Sequence, residues 1–372
     1  MRICLVGPVY PYRGGIAHHT AMLASALEKH NHFVHTISFK RQYPAWLYPG
    51  KSDKDPSEHP IRTQAAFILD PFIPWTWEQA VREIQKSQPT LVVTQWWTTF
   101  WALPFFYLNA MLRKSGIKTV FLIHNVMPHE QRFWDRWLSK LALMQANEYI
   151  VQTQAESDRL KKMFPKASIH LCYIPPYFDL NSRTLSKEDA RKDLGLPLDE
   201  KIFLFFGIVR PYKGLLFLLD AFKAMLLDKP NSRLLIAGEF WQDKSIYLDR
   251  IEQLNLTDRI SIIDQYLPNE KVPVIFAAAD CLVAPYTAGT QSAVVSTGLA
   301  FGLPMIITEQ IAAGVSEENL RSIKVIAPQD IEGLAKAMAE IEITREKQPP
   351  ETCTGENDWV LMAKTIEEIE SS

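Results

Sequence analysis

Neither sign of charge dominates this sequence, which leaves only local basic patches open as a source of attraction to anionic partners. Its 40 Lys and Arg against 42 Asp and Glu leave a formal net charge of −2. Nothing global therefore argues for nucleic acid or for an anionic surface. Cysteine is scarce: Cys4, Cys172, Cys281 and Cys353 are the only four, with no CxxC among them. Three of them sit in apolar runs (RICLVG, HLCYI, DCLVAP), which reads as buried reduced thiols rather than disulfides or a metal site. No GxGxxG and no GxxxxGK[ST] occurs, so the dinucleotide fingerprint and the P-loop are both missing. A zinc helix of the HExxH type is excluded because Phe133 stands where the second His is required. Internal repeats and low-complexity tracts are absent. The opening MRICLVG is too short and abrupt for a signal peptide, and a cytoplasmic protein is expected.

What is there is ample apolar material in an alternating pattern. The 372 residues, 47% of them hydrophobic and 22% charged, suit two globular domains. Short apolar runs at 2–6, 33–39, 91–94, 119–124, 149–151 and 169–173 read as strands separated by helical stretches. The pattern breaks at IPPYFDLNSR, 174–183, and then restarts with strands at 202–206, 234–237, 260–263, 281–284, 305–307 and 323–326. Helices are expected at 16–29, 186–194, 292–301, 331–341 and 359–369, the last capped by Asp358, and Thr153 with Glu156 forms a capping box. The fold class is α/β: two doubly wound domains with parallel sheets covered on both faces, facing a central cleft at the carboxyl ends of their strands. The first domain spans 1–178 and is joined by the terminal helix 358–372; the second spans 179–357.

Two segments stand out along the way. The loop 41–63 is rich in proline and charge, too polar for the core and long enough for a function. The uncharged stretch 91–112 is about bilayer length, yet Pro104 and four polar residues interrupt it. A buried strand, aromatic turn and helix is the expectation there, with a membrane-facing aromatic surface as the alternative.

The chemistry concentrates in four places. FFGIVRPYKG, 205–214, is a strand end, a loop with Arg210 and Lys213, and a glycine opening an apolar helix. That layout suits a phosphate-bearing ligand, because backbone N–H groups at a helix start and basic side chains both favour anions. Solvated loop charges are the competing reading. Gly14-Gly15 precede a helix, either to let a ligand approach the backbone or as a plain turn. His124 closes an apolar strand, with Asn125, His129 and Glu130 close behind it. A structural hydrogen bond and a role in the ligand site both remain open for it. His18-His19 are adjacent and diverge on a helix, which argues against metal binding. Thr290, Gln291 and Ser292 crowd a helix start, where they can cap it, bind a diphosphate, or do both.

Taken together these stretches resemble the glycosyltransferases of the GT-B fold, in the retaining, nucleotide-sugar-dependent family 4. The resemblance rests on Gly14-Gly15, HNVMPHE at 124–130, EDARKDLGLP, GIVRPYKG, IAGEFW, TQSAVVSTGLAFGLP, Gly314 with Glu317, and the Trp-led terminal helix. It implies two Rossmann-like domains, the first for the acceptor and the second for the nucleotide sugar. By the same resemblance Arg210 and Lys213 hold the leaving diphosphate with the Ser292 helix start, and His124 lies near the donor sugar. Gly14, Gly15, Gly207, Glu239, Thr290, Gln291, Ser292 and Thr297 become donor-binding candidates. Tyr12, Arg13, Trp96, Trp97, His129 and Glu130 become acceptor candidates. The resemblance implies no metal and no cofactor, in agreement with the lack of a DxD-type cluster near a cleft loop. It implies retention by front-face attack without a protein nucleophile.

One departure is plain. Aligning on Ala300-Phe301-Gly302-Leu303-Pro304 puts Gly289 and Thr297 where family members commonly carry two glutamates. The arginine also lies two residues further along its loop than in the commoner GR-type motif. The leading expectation is transfer of a sugar to a glycan or lipid-linked acceptor, as in polysaccharide biosynthesis, with peripheral contact at the inner membrane face possible in principle and no nucleic-acid partner. The alternatives are a non-catalytic binding or partner protein of the same fold, or a nucleotide-sugar epimerase. A dehydrogenase is the weakest, for want of its fingerprint.

Overall fold

Strands that are apolar along their whole length are satisfied only inside a sheet covered on both faces, and each half of the chain builds one. The computed structural model describes residues 1–44, 46, 48–128, 132–177, 185–342 and 355–372. The chain divides into two units: Met1–Asp55, Pro60–Tyr173 and Glu356–Ser372 form the first, Pro56–His59 and Ile174–Gly355 the second. The expected boundary at 178/179 lies outside the described residues.

The first unit holds a seven-stranded parallel sheet of β1 (Arg2–Val6), β2 (Phe33–Phe39), β3 (Ala66–Leu69), β4 (Leu91–Trp96), β5 (Lys118–Ile123), β6 (Glu148–Val151) and β7 (Ser168–Leu171). Its order is β3-β2-β1-β4-β5-β6-β7, so the strand order reverses between β1 and β4. The second unit has six parallel strands: β8 (Lys201–Phe206), β9 (Ser232–Ala237), β10 (Ile260–Ile263), β11 (Cys281–Ala284), β12 (Met305–Thr308) and β13 (Ile323–Ile326). Here the order is β10-β9-β8-β11-β12-β13, reversing between β8 and β11. In doubly wound sheets these reversal points are where ligands bind.

Both cores are dense with large side chains. In the first, Phe39, Trp96, Trp101, Phe105 and Phe121 pack together, with Trp101 stacked on Phe105 at 5.7 Å between ring centroids. The uncharged stretch 91–112 is thus interior: β4, a 3-10 turn at Thr99–Trp101 and the helix Ala102–Lys114. Among the described residues no helix is long and apolar enough to cross a membrane. Cys4, Cys172 and Cys281 are buried thiols, and Cys353 lies outside the described residues.

Several expectations need correction. The loop 41–63 is not wholly solvated: Gln42, Asp55 and Ser57 are buried. It is pinned to the β1 loop, where Arg13 N donates to Asp53 O (3.1 Å) and Asp55 N to Pro11 O (2.9 Å). Within the second unit, Ser57 Oγ accepts from Asn269 N at 2.8 Å. The terminal helix runs Gly355–Ser371, so Asp358 lies inside it rather than capping it. Buried Met362, Ala363, Ile366 and Ile369 fix that helix in the first unit, and Glu367 accepts from His32 at 2.7 Å. The strand β3 and the helix Pro74–Ser87 went unread because β3 has four residues of which only Leu69 is buried.

EDARKDLGLP has a mechanical role. Arg191, on the helix Lys187–Asp193, is buried with Asp280, its Nη2 donating to Asp280 Oδ2 at 2.6 Å. The same oxygen accepts from Ile202 N at 2.7 Å, while Arg191 Nε donates to Ala278 O at 3.0 Å. Asp280 therefore fastens the start of β8 beside the start of β11, the two strands at the reversal point, and its other oxygen pairs with the partly exposed Lys187. Truncating Arg191 leaves this buried carboxylate with only that partly solvated cation. Arg191→Ala is expected to destabilise the second unit by about 3–5 kcal/mol, read as the shift of its urea midpoint; a shift within error would show that the pair does not fasten these strands.

Candidate functional site

The second unit gathers its polar groups where β8 and β11 end. Leaving β8, the chain passes Gly207, where an added Cβ would stand 3.1 Å from Lys213 Nζ. Arg210 is extended, and a 3-10 turn at Pro211–Lys213 precedes the helix Leu215–Met225, so Gly214 opens the helix only after that turn. At Gly214 a Cβ would fall 2.0 Å from Pro285 O, which lets the loop lie directly against the end of β11. Thr287 N donates to Tyr212 O at 2.7 Å and closes the same junction.

Lys213 is the unusual member of this cluster. It is 8% exposed, and its Nζ sits 5.3 Å from the Tyr286 ring centroid. Among the described residues no carboxylate lies within ion-pair distance of it. Burial, with a smaller contribution from the Arg210 charge, pulls the lysine below its ordinary value. Tyr286 is pushed up to about 12 by burial, so it stays a neutral phenol, and it accepts from Ser292 Oγ at 3.3 Å.

Arg210 lies alongside. Its guanidinium carbon is 5.8 Å from the ring centroids of both Tyr212 and Trp241, and Trp241 Nε1 donates to Glu239 at 2.9 Å. Glu239 is buried and its carbonyl accepts from Val209 N at 2.9 Å. The structure thus brings Gly207, Arg210, Lys213, Glu239 and Ser292 into one neighbourhood. Ser292 occupies the N-cap of the helix Ala293–Ala300 but makes no side-chain cap bond, so capping, the simpler expectation, is replaced by its bond to Tyr286. Thr290 is buried, and Gly314 backs directly onto Thr290 and Gln291. Thr297 spends its hydroxyl proton on Ala293 O at 2.8 Å. Gly289 has φ +113°, a conformation L side chains rarely adopt, so its lack of a carboxylate is built into the backbone.

The first unit holds a different kind of cluster at the ends of β4, β5 and β6. His124 is buried and its Nε2 donates to Gln95 Oε1 at 2.6 Å. The His19 ring meets it edge-on with centroids 5.0 Å apart, Gln152 Nε2 donates to His19 Nε2 at 2.8 Å, and Trp359 lies 5.1 Å from His19 on the far side. Burial holds His124 down to about 4, and burial followed by the His124 charge pulls His19 well below its ordinary value. Both imidazoles are neutral near pH 7. Gln95 and Gln152 were not among the sequence candidates, and His19 was weighed there only as a metal ligand. The signal was available: like His124, both glutamines sit at the carboxyl end of an apolar strand (VVTQ, YIVQ).

The remaining candidates of this unit separate. Gly14 precedes the helix Gly15–Lys29 and its carbonyl accepts from Ala17 and His18. Arg13 Nε donates to Tyr48 Oη at 2.8 Å. Tyr12 and Trp96, expected to touch an acceptor, are buried: Tyr12 donates to Phe39 O at 2.8 Å and the Trp96 ring packs against Phe105 and Phe121. Their faces are spent on the core, so neither offers a stacking surface. Trp97 is half-buried and donates to Tyr43 Oη at 2.7 Å. His129 and Glu130 lie outside the described residues. One DxD triplet does exist, Asp53-Lys54-Asp55, but Asp55 faces His18 at 3.5 Å and Lys54 covers the Tyr12 ring. Among the described residues no group of three His, Cys, Asp or Glu could hold a metal ion.

Two family models match the chain: Glycosyltransferase Family 4 over residues 13–182, and Glycosyl transferases group 1 over residues 200–342. Curated relatives include a D-inositol 3-phosphate glycosyltransferase of Corynebacterium glutamicum, 31% identical over 157 residues, which are 41% of this chain and 36% of that protein. A putative teichuronic acid biosynthesis glycosyltransferase of Bacillus subtilis is 30% identical over 42% of this chain and 37% of its own. The chain thus spans little more than a third of the length of these relatives. Among solved structures, the Anabaena HepE protein in complex with UDP and glucose aligns over 100% of this chain and 99% of its own, with TM-score 0.71 and 16% identity. Sucrose-phosphate synthase from Thermosynechococcus elongatus aligns over 99% and 98%, with TM-score 0.69 and 19% identity. These structural likenesses are likenesses of fold, the GT-B pair of parallel α/β domains.

The neutral imidazoles have a measurable consequence. His124 takes up its proton near 6.5 when unfolded and near 4 when folded, so the unfolded state binds more protons in that window. Its contribution is complete above pH 6.5 and erodes as pH falls toward 4. At about 1.4 kcal/mol per pH unit, roughly 3 kcal/mol is lost across the window, with His19 acting in the same direction. Urea unfolding of His124→Asn against the parent at stepped pH should show a shallower loss of stability between pH 6.5 and 4; parallel curves would refute the buried neutral state.

Proposed function

This chain belongs to the group 1 glycosyltransferases of family 4, and from that membership we propose that it moves a sugar from a nucleotide-sugar donor to a glycan or lipid-linked acceptor, with retention at the anomeric carbon. The observation that carries the proposal is the Lys213 ammonium, buried without a carboxylate partner among the described residues and flanked by Arg210. A buried cation without a counter-charge is costly, and a diphosphate is the anion whose geometry suits a Lys, an Arg and a helix start together.

In this reading the second unit binds the donor. As the bond between the anomeric carbon and the diphosphate oxygen breaks, negative charge grows on the leaving group beside Lys213 and Arg210. Cations fixed where charge develops stabilise the transition state more than the ground state. The acceptor hydroxyl attacks from the face the diphosphate leaves, and its proton passes to the departing phosphate oxygen, so no protein nucleophile is required. The ammonium and guanidinium supply the charge neutralisation, and no metal or cofactor takes part. The first unit takes the acceptor, and His124 serves there as a neutral hydrogen-bonding group rather than as an acid. The setting is cytoplasmic.

A second reading, a non-catalytic binding protein of the same fold, is favoured by one observation: Gly289 and Thr297 stand where the family's carboxylates are expected. The two readings part on product, since a binding protein is stabilised by nucleotide sugars but releases no nucleoside diphosphate.

Two outcomes test the catalytic reading. Lys213→Met should slow transfer by about 10²–10³-fold, abolish the thermal shift produced by nucleoside diphosphates, and stabilise the unliganded protein by on the order of 1 kcal/mol. A folded variant that keeps both transfer and the thermal shift would remove the role assigned to Lys213. Transfer should also persist undiminished after exhaustive treatment with EDTA; activity lost to the chelator and restored by a divalent cation would replace the metal-independent scheme.

A further inference from the structure

The helix Asp135–Leu143 buries polar side chains next to apolar ones and leaves large rings outside. Facing the core it buries Asp135 and Ser139 beside Ala142 and Leu143. Both polar side chains are satisfied there: Asp135 accepts from Thr99 Oγ1 (2.5 Å) and Arg132 N (2.6 Å), and Ser139 Oγ donates to Val126 O (3.0 Å). The outward face carries the large apolar groups instead. Phe133 is 90% exposed, Trp137 63%, Met144 50% and Trp134 40%.

Charge on this surface has one sign. Between residues 132 and 144 the ionisable side chains are Arg132, Arg136, Lys140 and Asp135, and the single acid is the buried one. Arg136 and Lys140 are exposed one helical turn apart, flanking the aromatic stripe. The helix Ala102–Lys114, packed alongside, ends in two more cations, and Arg113 Nη1 reaches Met144 O at 3.4 Å. The apolar surface also continues past the start of the helix. Thr99, bonded to Asp135, is followed by Phe100, whose ring lies 5.9 Å from that of exposed Phe72.

Exposed aromatic rings bordered by cations, with no exposed acid among them, match the composition of helices that lie in a bilayer interface. Trp and Phe insert at headgroup level, while Arg and Lys meet anionic lipid. A soluble protein partner would be met by an apolar patch with a polar rim; here the charged side chains at the described rim, Arg132, Arg136, Lys140 and Arg113, are all cations. We propose that this face docks on an anionic lipid bilayer, with the helix Asp135–Leu143 lying in the plane of the surface. The contact is thereby centred on 132–144, with Phe100 at its border, and not on the aromatic stretch 91–112, where Trp96, Trp101 and Phe105 are buried. It does not depend on the proposed activity, and its test needs no substrate.

The experiment is co-sedimentation of the full chain with vesicles of phosphatidylcholine and phosphatidylglycerol, and with phosphatidylcholine alone. The chain should pellet with the mixed vesicles, less so as salt is raised, and its tryptophan emission should shift to the blue. Phe133→Ser with Trp137→Ser should lower partitioning by at least about tenfold, and Arg136→Glu with Lys140→Glu by a similar factor. Unchanged thermal melting certifies each variant, and Trp137→Ser alone serves if the double variant is poorly folded. The proposal is overturned if the parent stays in the supernatant with the mixed vesicles, or if both pairs of variants bind as well as the parent. It is equally overturned if light scattering finds a dimer that Trp137→Ser turns into a monomer, which would make the face a contact between copies of this chain.

Discussion

A cation withdrawn from water, with no carboxylate to meet it among the described residues, is the constraint around which the second unit is arranged. Lys213 could be paired cheaply, since acids are plentiful in the chain, yet its ammonium lies beside the Tyr286 ring and the bare Gly207. Keeping it there requires a stiff frame. The 3-10 turn sets its direction, Gly214 lets the turn press against Pro285, and the buried Arg191–Asp280 pair registers β8 beside β11 beneath both. The frame lies at the reversal of strand order, where two neighbouring loops diverge and leave room at the sheet end. Stability given up at a site of this kind is commonly the cost of a preorganised binding function.

The first unit solves the opposite problem at its own strand ends. There the polar groups are neutral: His124 bonds Gln95 and His19 bonds Gln152, with the two imidazoles in edge contact and Trp359 against His19. Burial strips the imidazoles of charge, so this end of the sheet presents shape and hydrogen bonding rather than field. The terminal helix contributes Trp359 to that cluster, which gives the last seventeen or so residues a role in ordering the strand ends as well as in covering the sheet.

Most of the fold could be read in the sequence because parallel strands announce themselves as unbroken apolar runs. The segments 2–6, 33–39, 260–263, 281–284 and 323–326 were readable to the residue, each short, apolar and bounded by turn-forming or polar residues. β3 was not, since an edge strand with one buried residue carries hardly any burial signal. The basic loop was legible as strand, cations and helix, because those features are local. What stayed hidden is what depends on three-dimensional neighbours. Tyr12 and Trp96 look the same in sequence whether their faces serve the core or a ligand, and the structure encloses them. Thr297 reads as a substitute for a lost carboxylate until its hydroxyl is found turned onto Ala293. Arg191 reads as one more charge in EDARKD, while its burial against Asp280 rests on a partner 89 positions away.

The helix Asp135–Leu143 shows why periodicity by itself cannot assign faces. Its apolar residues recur at helical spacing, and the usual inference turns that stripe toward the core. That holds for Leu138, Ala142 and Leu143 but not for Trp137, because other inward positions are claimed by specific polar partners. Asp135 is held by Thr99 and by its own preceding turn, and Ser139 by the Val126 carbonyl. Each bond fixes the rotation of the helix about its axis, and rotating it to bury Trp137 would break them and bring Arg136 and Lys140 toward the interior. Desolvating two cations outweighs the gain from one indole, since burial of a large side chain contributes only about 1.5–3 kcal/mol while an unpaired buried charge costs more. The outward aromatics are thus an enforced feature of the fold, stable in orientation whether or not anything covers them. A surface with that much exposed ring area, rimmed among the described residues by cations, is selective by its physics: it repels other cationic faces and gains most from a surface that is both anionic and penetrable.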